Sequence, residues 1–427
     1  MTIELLLPHR GMVELTAVEA LLKGAPSEPF NAAIADACAD LSQRILFDAE
    51  ARAIPELVAL AFWMRKAEIE RLKEEFRRLE QPHVFLAPRG LVFHVPPRNV
   101  DTMFVYSWFM AALTGNRNVI RLSPSRSRTT DILLRLFCAA LGEAGAAARE
   151  STVVVSFGHE EEPTALFSRL CDVRVIWGGD ESISAIRRAP LQPHARDLTF
   201  PDRYSFAAVA SVAYRAAGHA RRDELAAQFF NDSFWFDQMG CSSPRLLVWC
   251  GPEAAGREAS ADFFDRLNRY VLARGYAQQP AVAVKKLVFS CLAALDSPVD
   301  SYRHYPALTV LSLGSLENFK RDHPGGGLFM EAFVADLSGL DAMVNRRDQT
   351  LECFGFETDE LRRFARQLNG VGIDRIVPFG QALQFGRLWD GYDLLQEFTR
   401  RVVLEAERPA RSAVPRPETH AGAKSSS

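Results

Sequence analysis

This 427-residue chain predicts an α/β fold, a parallel-sheet unit joined to a second α/β unit. Two observations carry the prediction. From residue 84 onward, short runs of β-branched and aromatic residues alternate with helical patterns, the rhythm of βαβ units. Those runs are apolar on both faces, as strands must be when helices cover both sides of a parallel sheet. The length also allows two or three domains at about 150 residues each.

The elements follow in order. Residues 1–80 read as mostly helical. Ala32 to Ile45 is alanine-rich, with Leu41 and Ile45 on a helical period. Between Leu57 and Leu79, Ile69, Leu72, Phe76 and Leu79 recur at spacings of 3, 4 and 3, with charged residues between them. That predicts an amphipathic helix, packed on its own domain or against a second copy. Val84 to Val95 reads as one or two strands. Asp101 to Leu113 reads as a helix stopped by Gly115 and Asn116. A strand over Val119 to Leu122 and a helix over Thr129 to Leu141 come next. Thr152 to Phe157 is a strand, Pro163 to Leu170 a helix, and Val173 to Trp177 a strand. Glu181 to Arg188 is a helix and Tyr204 to Val212 a strand. In the second unit, Arg221 to Gln238 reads as a helix, Arg245 to Trp249 as a strand and Ala261 to Leu272 as a helix. From Gln349 the strand-helix-strand rhythm returns, closed by a helix over Tyr392 to Glu405. Residues 406–427, with Pro409, Pro415, Pro417 and a terminal serine run, predict a disordered tail.

Composition excludes several classes. Lys+Arg is 50 and Asp+Glu is 53, a formal charge of −3, so a dedicated nucleic-acid surface is not expected. The longest strongly apolar run, Met103 to Leu113, is far short of the ~20 residues that span a bilayer. Glu4 and the absence of a basic lead argue against a signal peptide. Seven cysteines, an odd number without a CxxC pair, fit a reducing compartment, and a cytoplasmic enzyme is expected. There is no phosphate-binding GxxxxGK[ST] loop and no GxSxG turn. His159-Glu160 starts like a zinc motif, but Pro163 stands at the second histidine position. The nine histidines are scattered, and no metal site is expected. Gly370 and Gly372 follow a helix and precede a strand, the reverse of a dinucleotide fingerprint.

Four segments remain: GLVFHVPPRNVDTMF (90–104), GNRNVIRLSPS (115–125), VRVIWGGDESI (173–183) and FDQMGCSSP (236–244). Gly178-Gly179 at a strand-to-helix turn permits close approach of a phosphate, or is a plain turn. Arg121, with Ser123, Ser125 and Arg126 near it, suits a ribose or a 2′-phosphate, or lies on the surface. Asn99 after Pro-Pro is an oxyanion donor or a helix cap. Cys241 after Gly240 is an accessible nucleophile or a packed small residue. The other six cysteines read as structural. The aromatic run Phe229, Phe230, Phe234, Trp235 and Phe236 is either core or an acyl channel. PGGGLF (324–329) is either a surface turn or a mobile loop over the site.

In this order the four segments resemble the aldehyde dehydrogenase superfamily, and within it the acyl-CoA reductase branch that includes the long-chain acyl-CoA reductases of bacterial luminescence. The resemblance spans about residues 80–405 and includes the closing stretch DRIVPFGQALQFGRLWDGYDLLQEFTRRV (374–402). It implies an aldehyde dehydrogenase-like α/β fold, a parallel-sheet cofactor domain with an inserted α/β catalytic domain. The implied domains are a helical region over 1–80, a nucleotide-binding domain over 81–215 and 341–405, and a catalytic domain over 216–340. It implies Cys241 as the acyl-accepting nucleophile and Asn99 as the oxyanion residue, helped by the Cys241 backbone N–H. Gly178 and Gly179 would lie along the cofactor, with Arg121 and Ser123 at its adenosine ribose. An arginine there favours NADPH over NADH. The glutamate-bearing segment that lets aldehyde dehydrogenases hydrolyse an acyl-enzyme is missing from DLTFPDRYSFAAV (197–209), where Asp202 stands in the same region. That favours reduction of an acyl thioester, on CoA or an acyl carrier, to an aldehyde. An aldehyde-oxidising enzyme and a non-catalytic member of an acyl-transfer complex are the alternatives. Acyltransferase or synthetase subunits are the implied partners, and a homo-oligomer is expected.

Overall fold

The computed structural model describes residues 1–405 except 277, 297 and 318, so the tail expected over 406–427 lies outside the described residues. Two seven-stranded sheets organise the chain. Strands β1 (Thr2–Leu7), β2 (Gly11–Glu14), β4 (Leu91–Val95), β5 (Arg117–Leu122), β6 (Thr152–Ser156), β7 (Val173–Trp177) and β8 (Arg196–Phe200) form the first; β3 (Val84–Pro88) stands apart. Its order is β2-β1-β6-β5-β4-β7-β8. The five strands from β6 to β8 are parallel, and β1 runs antiparallel to both β2 and β6. Every residue of β4, β6 and β7 is buried, as the apolar runs require.

The second sheet holds β9 (Tyr204–Ala210), β10 (Pro244–Cys250), β11 (Val299–His304), β12 (Thr309–Leu313), β13 (Leu328–Val334), β14 (Asp348–Phe354) and β15 (Arg375–Pro378). Its order is β11-β12-β13-β10-β9-β14-β15, all parallel except β11 on the edge. The chain then returns to the first unit through a hairpin, β16 (Leu388–Trp389) and β17 (Tyr392–Asp393), and through β18 (Thr399–Val403). Strand β18 pairs antiparallel with β3.

Four expectations need correction. The sheets divide the chain at Pro201–Arg203, not at 216 and 341, because β9, β14 and β15 complete the second sheet. Residues 1–80 also supply β1 and β2 to the first sheet and are not purely helical. The closing helix over 392–405 is only Leu394–Glu397, capped by Asp393, whose carboxylate accepts the Leu395 amide at 3.2 Å. The β-branched Thr399, Val402 and Val403 then find a strand partner in β3 and stay extended. The 57–79 pattern is likewise two helices, Pro55–Trp63 and Lys66–Leu79. The second of them buries Ile69, Leu72 and Phe76 in the core of its own unit, so that face is not an oligomer contact.

Candidate active site

Strand order makes the site. From β4 the chain winds outward through β5 and β6, then returns to place β7 and β8 on the other side of β4. The loops leaving the carboxyl ends of β4 and β7 therefore diverge and leave a crevice, the usual ligand position in open α/β sheets. Asn99 stands in the β4 loop, and Gly178 and Gly179 in the β7 loop. Cys241 and Ser242 come to the same place just ahead of β10 in the second sheet. These residues line one cavity of about 450 Å³.

The Cys241 loop is held from below. After the helix His219–Phe234, Asp237 and Gln238 adopt left-handed backbone, with φ of 50° and 61°. Non-glycine residues keep that conformation when their surroundings impose it. Gln238 is fully buried, and its amide donates to the Pro244 and Leu328 carbonyls at 3.2 and 3.0 Å. Its oxygen accepts the Gly327 amide at 2.8 Å. Gly325, Gly326 and Gly327 are themselves left-handed, and a Cβ on Gly325 would stand 2.4 Å from the Asp237 carbonyl oxygen. The PGGGLF segment is thus buried beneath this loop and is not a surface turn.

Cys241 is half-buried. Its carbonyl accepts the Ser205 hydroxyl at 2.7 Å, and its Sγ faces the Gln349 amide nitrogen at 3.6 Å. Burial first, then the charge of Asp390, lifts the thiol to about 11, against the pull of the Gln349 and Ser242 hydrogen bonds and of Arg245. Burial lifts Cys138 and Cys353 to about 11 and Cys171 and Cys250 to about 12 as well. Acidity therefore does not single out Cys241; its place on the cavity wall does. Cys291, expected in a packed face, is exposed.

Asn99 is exposed toward the cavity, and the cap position of the helix Met103–Leu113 belongs to Thr102. Gly179 has an ordinary φ of −67°, and a Cβ placed on it would meet nothing within 4 Å. Neither the backbone nor the protein's own packing asks for glycine there; the absent side chain leaves open space. The helix that follows, Asp180–Arg187, carries Asp180 and Glu181 in its first turn, which opposes a phosphate at that end.

Arg121 and Ser123 lie elsewhere. The Arg121 guanidinium donates to the carbonyls of Phe157, at 3.1 Å, and Gly158, and stacks over the Phe157 ring. Two of its donors are held by that loop, and Arg121 does not line the Cys241 cavity. Ser123 lines a second, smaller hollow of about 30 Å³ with Arg98, Ser125, Arg126 and Ser127.

Sequence reasoning missed the aromatic wall. Of the run before Cys241, Phe229 and Phe234 are core, and Phe236 lines the cavity. The rest of the wall is Trp177, Phe200, Phe385 and Trp389, with Trp177 stacked on Phe200 at 3.7 Å. Trp177 and Phe200 end neighbouring parallel strands, and that adjacency has no signal in local sequence. Gln349 and Asp390 were missed for the same reason. Asp202 does line the cavity, where it pairs with Arg347 at 2.6 Å.

Two largely parallel sheets, with a cysteine just ahead of one strand on the wall of a cavity that residues of both units line, match an aldehyde dehydrogenase fold. Solved structures agree on that fold. Thermus thermophilus 1-pyrroline-5-carboxylate dehydrogenase superposes with a TM-score of 0.64 at 15% identity, covering 91% of this chain and 83% of that one. Aldehyde dehydrogenase 21 of Physcomitrella patens gives 0.64 at 12% identity, covering 91% and 88%. Residues 62–278, just over half the chain, match the family described as acyl-CoA reductase (LuxC), and the chain belongs to that family. A long-chain acyl-protein thioester reductase of Aliivibrio fischeri is 29% identical over 77% of this chain and 66% of its own length. The enzyme of that name from Vibrio harveyi is 23% identical over 79% and 68%. The chain thus spans about two thirds of the length of these relatives.

Proposed function

We propose that this protein reduces a long-chain acyl thioester, on CoA or an acyl carrier, to an aldehyde with NADPH, through an acyl-enzyme on Cys241. The observation that carries the reading is the cavity that joins Cys241, Asn99 and the open Gly178-Gly179 turn in a member of the acyl-CoA reductase family. The thiol loses its proton as its sulfur bonds to the acyl carbon, and the carrier thiolate leaves with a proton. The Asn99 amide, extending from the β4 loop, bonds the oxygen that becomes negative. The aromatic wall excludes water and receives apolar chain. A nicotinamide cofactor fits the space left by Gly178 and Gly179, held by Trp177 and the glycine turn, and supplies the hydride when bound. Asp180 and Glu181 suit ribose hydroxyls rather than phosphate. Arg121, which keeps N–H groups beyond the two that bond the 157–158 carbonyls, and Ser123 support NADPH. Asp202, committed to Arg347, gives the aldehyde-oxidising reading little support.

The test is Cys241→Ala with acyl-CoA and NADPH. Both acyl labelling of the protein and cofactor oxidation are expected to disappear. Labelling that persists on another residue would sink the assignment. A homo-oligomer, covering the apolar face of the helix Pro280–Asp296, is proposed as well, along with cytoplasmic location. Among the described residues no helix is long and apolar enough to cross a membrane.

A further inference from the structure

Gln349 is fully buried in β14, close to the cavity. Its side-chain oxygen accepts the Ser242 hydroxyl at 2.8 Å. Its amide nitrogen donates both to Asp390 and, at 3.6 Å, to Cys241 Sγ. One nitrogen therefore stands between the candidate nucleophile and a carboxylate. A neutral N–H donor bonds a thiolate more strongly than a thiol. A carboxylate at the same place acts oppositely, since like charge disfavours the thiolate. Asp390 is placed there with some force. It lines the cavity from the β16–β17 turn in left-handed backbone, φ 48°, where glycine would be easier.

We propose that Asp390 and Gln349 are a positioning pair that controls the proton on Cys241. An ionised Asp390 disfavours the Cys241 thiolate; a protonated Asp390 removes that penalty, and the Gln349 N–H bonds the thiolate as it forms. The charges around Asp390 are mixed. Arg203 and Arg375 favour its carboxylate, Asp374 opposes it, and Tyr106 and Cys241 face it from the other walls. Burial prevails and lifts Asp390 to about 6, so it titrates near neutrality. Exchange of one thioester for another moves one proton from Cys241 to the departing carrier thiolate. A carboxyl that gains and loses a proton in the same cavity keeps the charge balanced through that exchange. This rests on the acyl-enzyme reading above.

The test is alkylation of Cys241 by iodoacetamide across the neutral to alkaline range, read peptide by peptide by mass spectrometry on the full chain. Asp390→Asn is expected to move the midpoint down by about one pH unit, and to speed alkylation near neutrality by up to about tenfold. Acylation of the same variant from acyl-CoA is expected to slow by at least about tenfold. Gln349→Glu, nearly isosteric, puts a negative charge beside Sγ and should move the midpoint up. An unmoved midpoint in Asp390→Asn, or the same direction of shift in both variants, overturns the proposal. Alkylation needs no acyl donor. A Cys241 whose alkylation shifts as expected but which never takes an acyl group would refute the acyl-enzyme and leave the pair standing.

Discussion

Gly179 shows how a missing side chain shapes the site. Its backbone is ordinary and its Cβ position is empty, so a larger residue costs the fold little. Gly179→Val is expected to change unfolding stability by no more than about 0.5 kcal/mol. It should raise the cofactor KM about tenfold, near 1.4 kcal/mol, by filling the space the cofactor would occupy. A thermal melt beside a cofactor titration checks both halves; a lower melting temperature with unchanged KM would count against the assignment. At this scale the meeting of Cys241, Asn99 and the glycine pair on one cavity was legible, because each sits at an element end marked by Gly or Pro. Where Arg121 sits was not legible, because residue type says nothing about which face of β5 it occupies, and its neighbours at 157–158 follow another strand. Gln349 and Asp390 reach Cys241 from 108 residues away and beyond, through strand order alone.

Among the elements, one turn carries unusual weight. Asn116 is completely buried after the helix Met103–Leu113. Its oxygen accepts the amides of Arg89 and Gly90 at 2.9 and 3.0 Å, and its nitrogen donates to the Phe398 carbonyl at 2.9 Å. It thereby ties the β3–β4 turn, the start of β5 and the segment before β18 together. Asn116→Ala leaves several buried peptide groups unpaired, at about 1–3 kcal/mol for each. A loss of at least about 2 kcal/mol in denaturant unfolding is expected. Strands buried on both faces were easy to place, and Val173–Trp177 matches the expected bounds residue for residue. The antiparallel edge strands β1 and β2 were not, since β2 is only four residues with alternating exposure. Strand β18 was hidden because its partner lies over 300 residues earlier, while its local pattern also fits a helix.

For the whole molecule, one parallel sheet and a second α/β unit were foreseen, but the point where one gives way to the other was not. Pro201 follows β8 directly, and strands beyond it join whichever sheet buries them. The helix Pro280–Asp296 leaves an apolar stripe open: Val284, Leu287, Val288, Leu292 and Leu295 recur at helical spacing, with Leu287 at 61% and Leu295 at 81% exposure. Such a stripe is uncommon on a lone chain. With Leu287 and Leu295 both changed to Glu, light scattering is expected to give a smaller particle than the native chain does, with the helical signal retained. An unchanged mass would place the contact elsewhere.

The tie between Asn116 and Phe398 also sets a schedule. During synthesis the buried amide of Asn116 waits 282 residues for its carbonyl partner, and Tyr106 waits 280 for the carbonyl of Gly386. The second sheet emerges in that interval and has its own strands to pair. The half that begins first on the ribosome therefore finishes last, with the edge of β3 open until β18 arrives. Such long waits slow folding and lengthen exposure to wrong partners. The cavity, whose wall includes Leu383, Phe385, Trp389 and Asp390, is complete only at the close of that wait, so no earlier stage of the nascent chain displays a finished site.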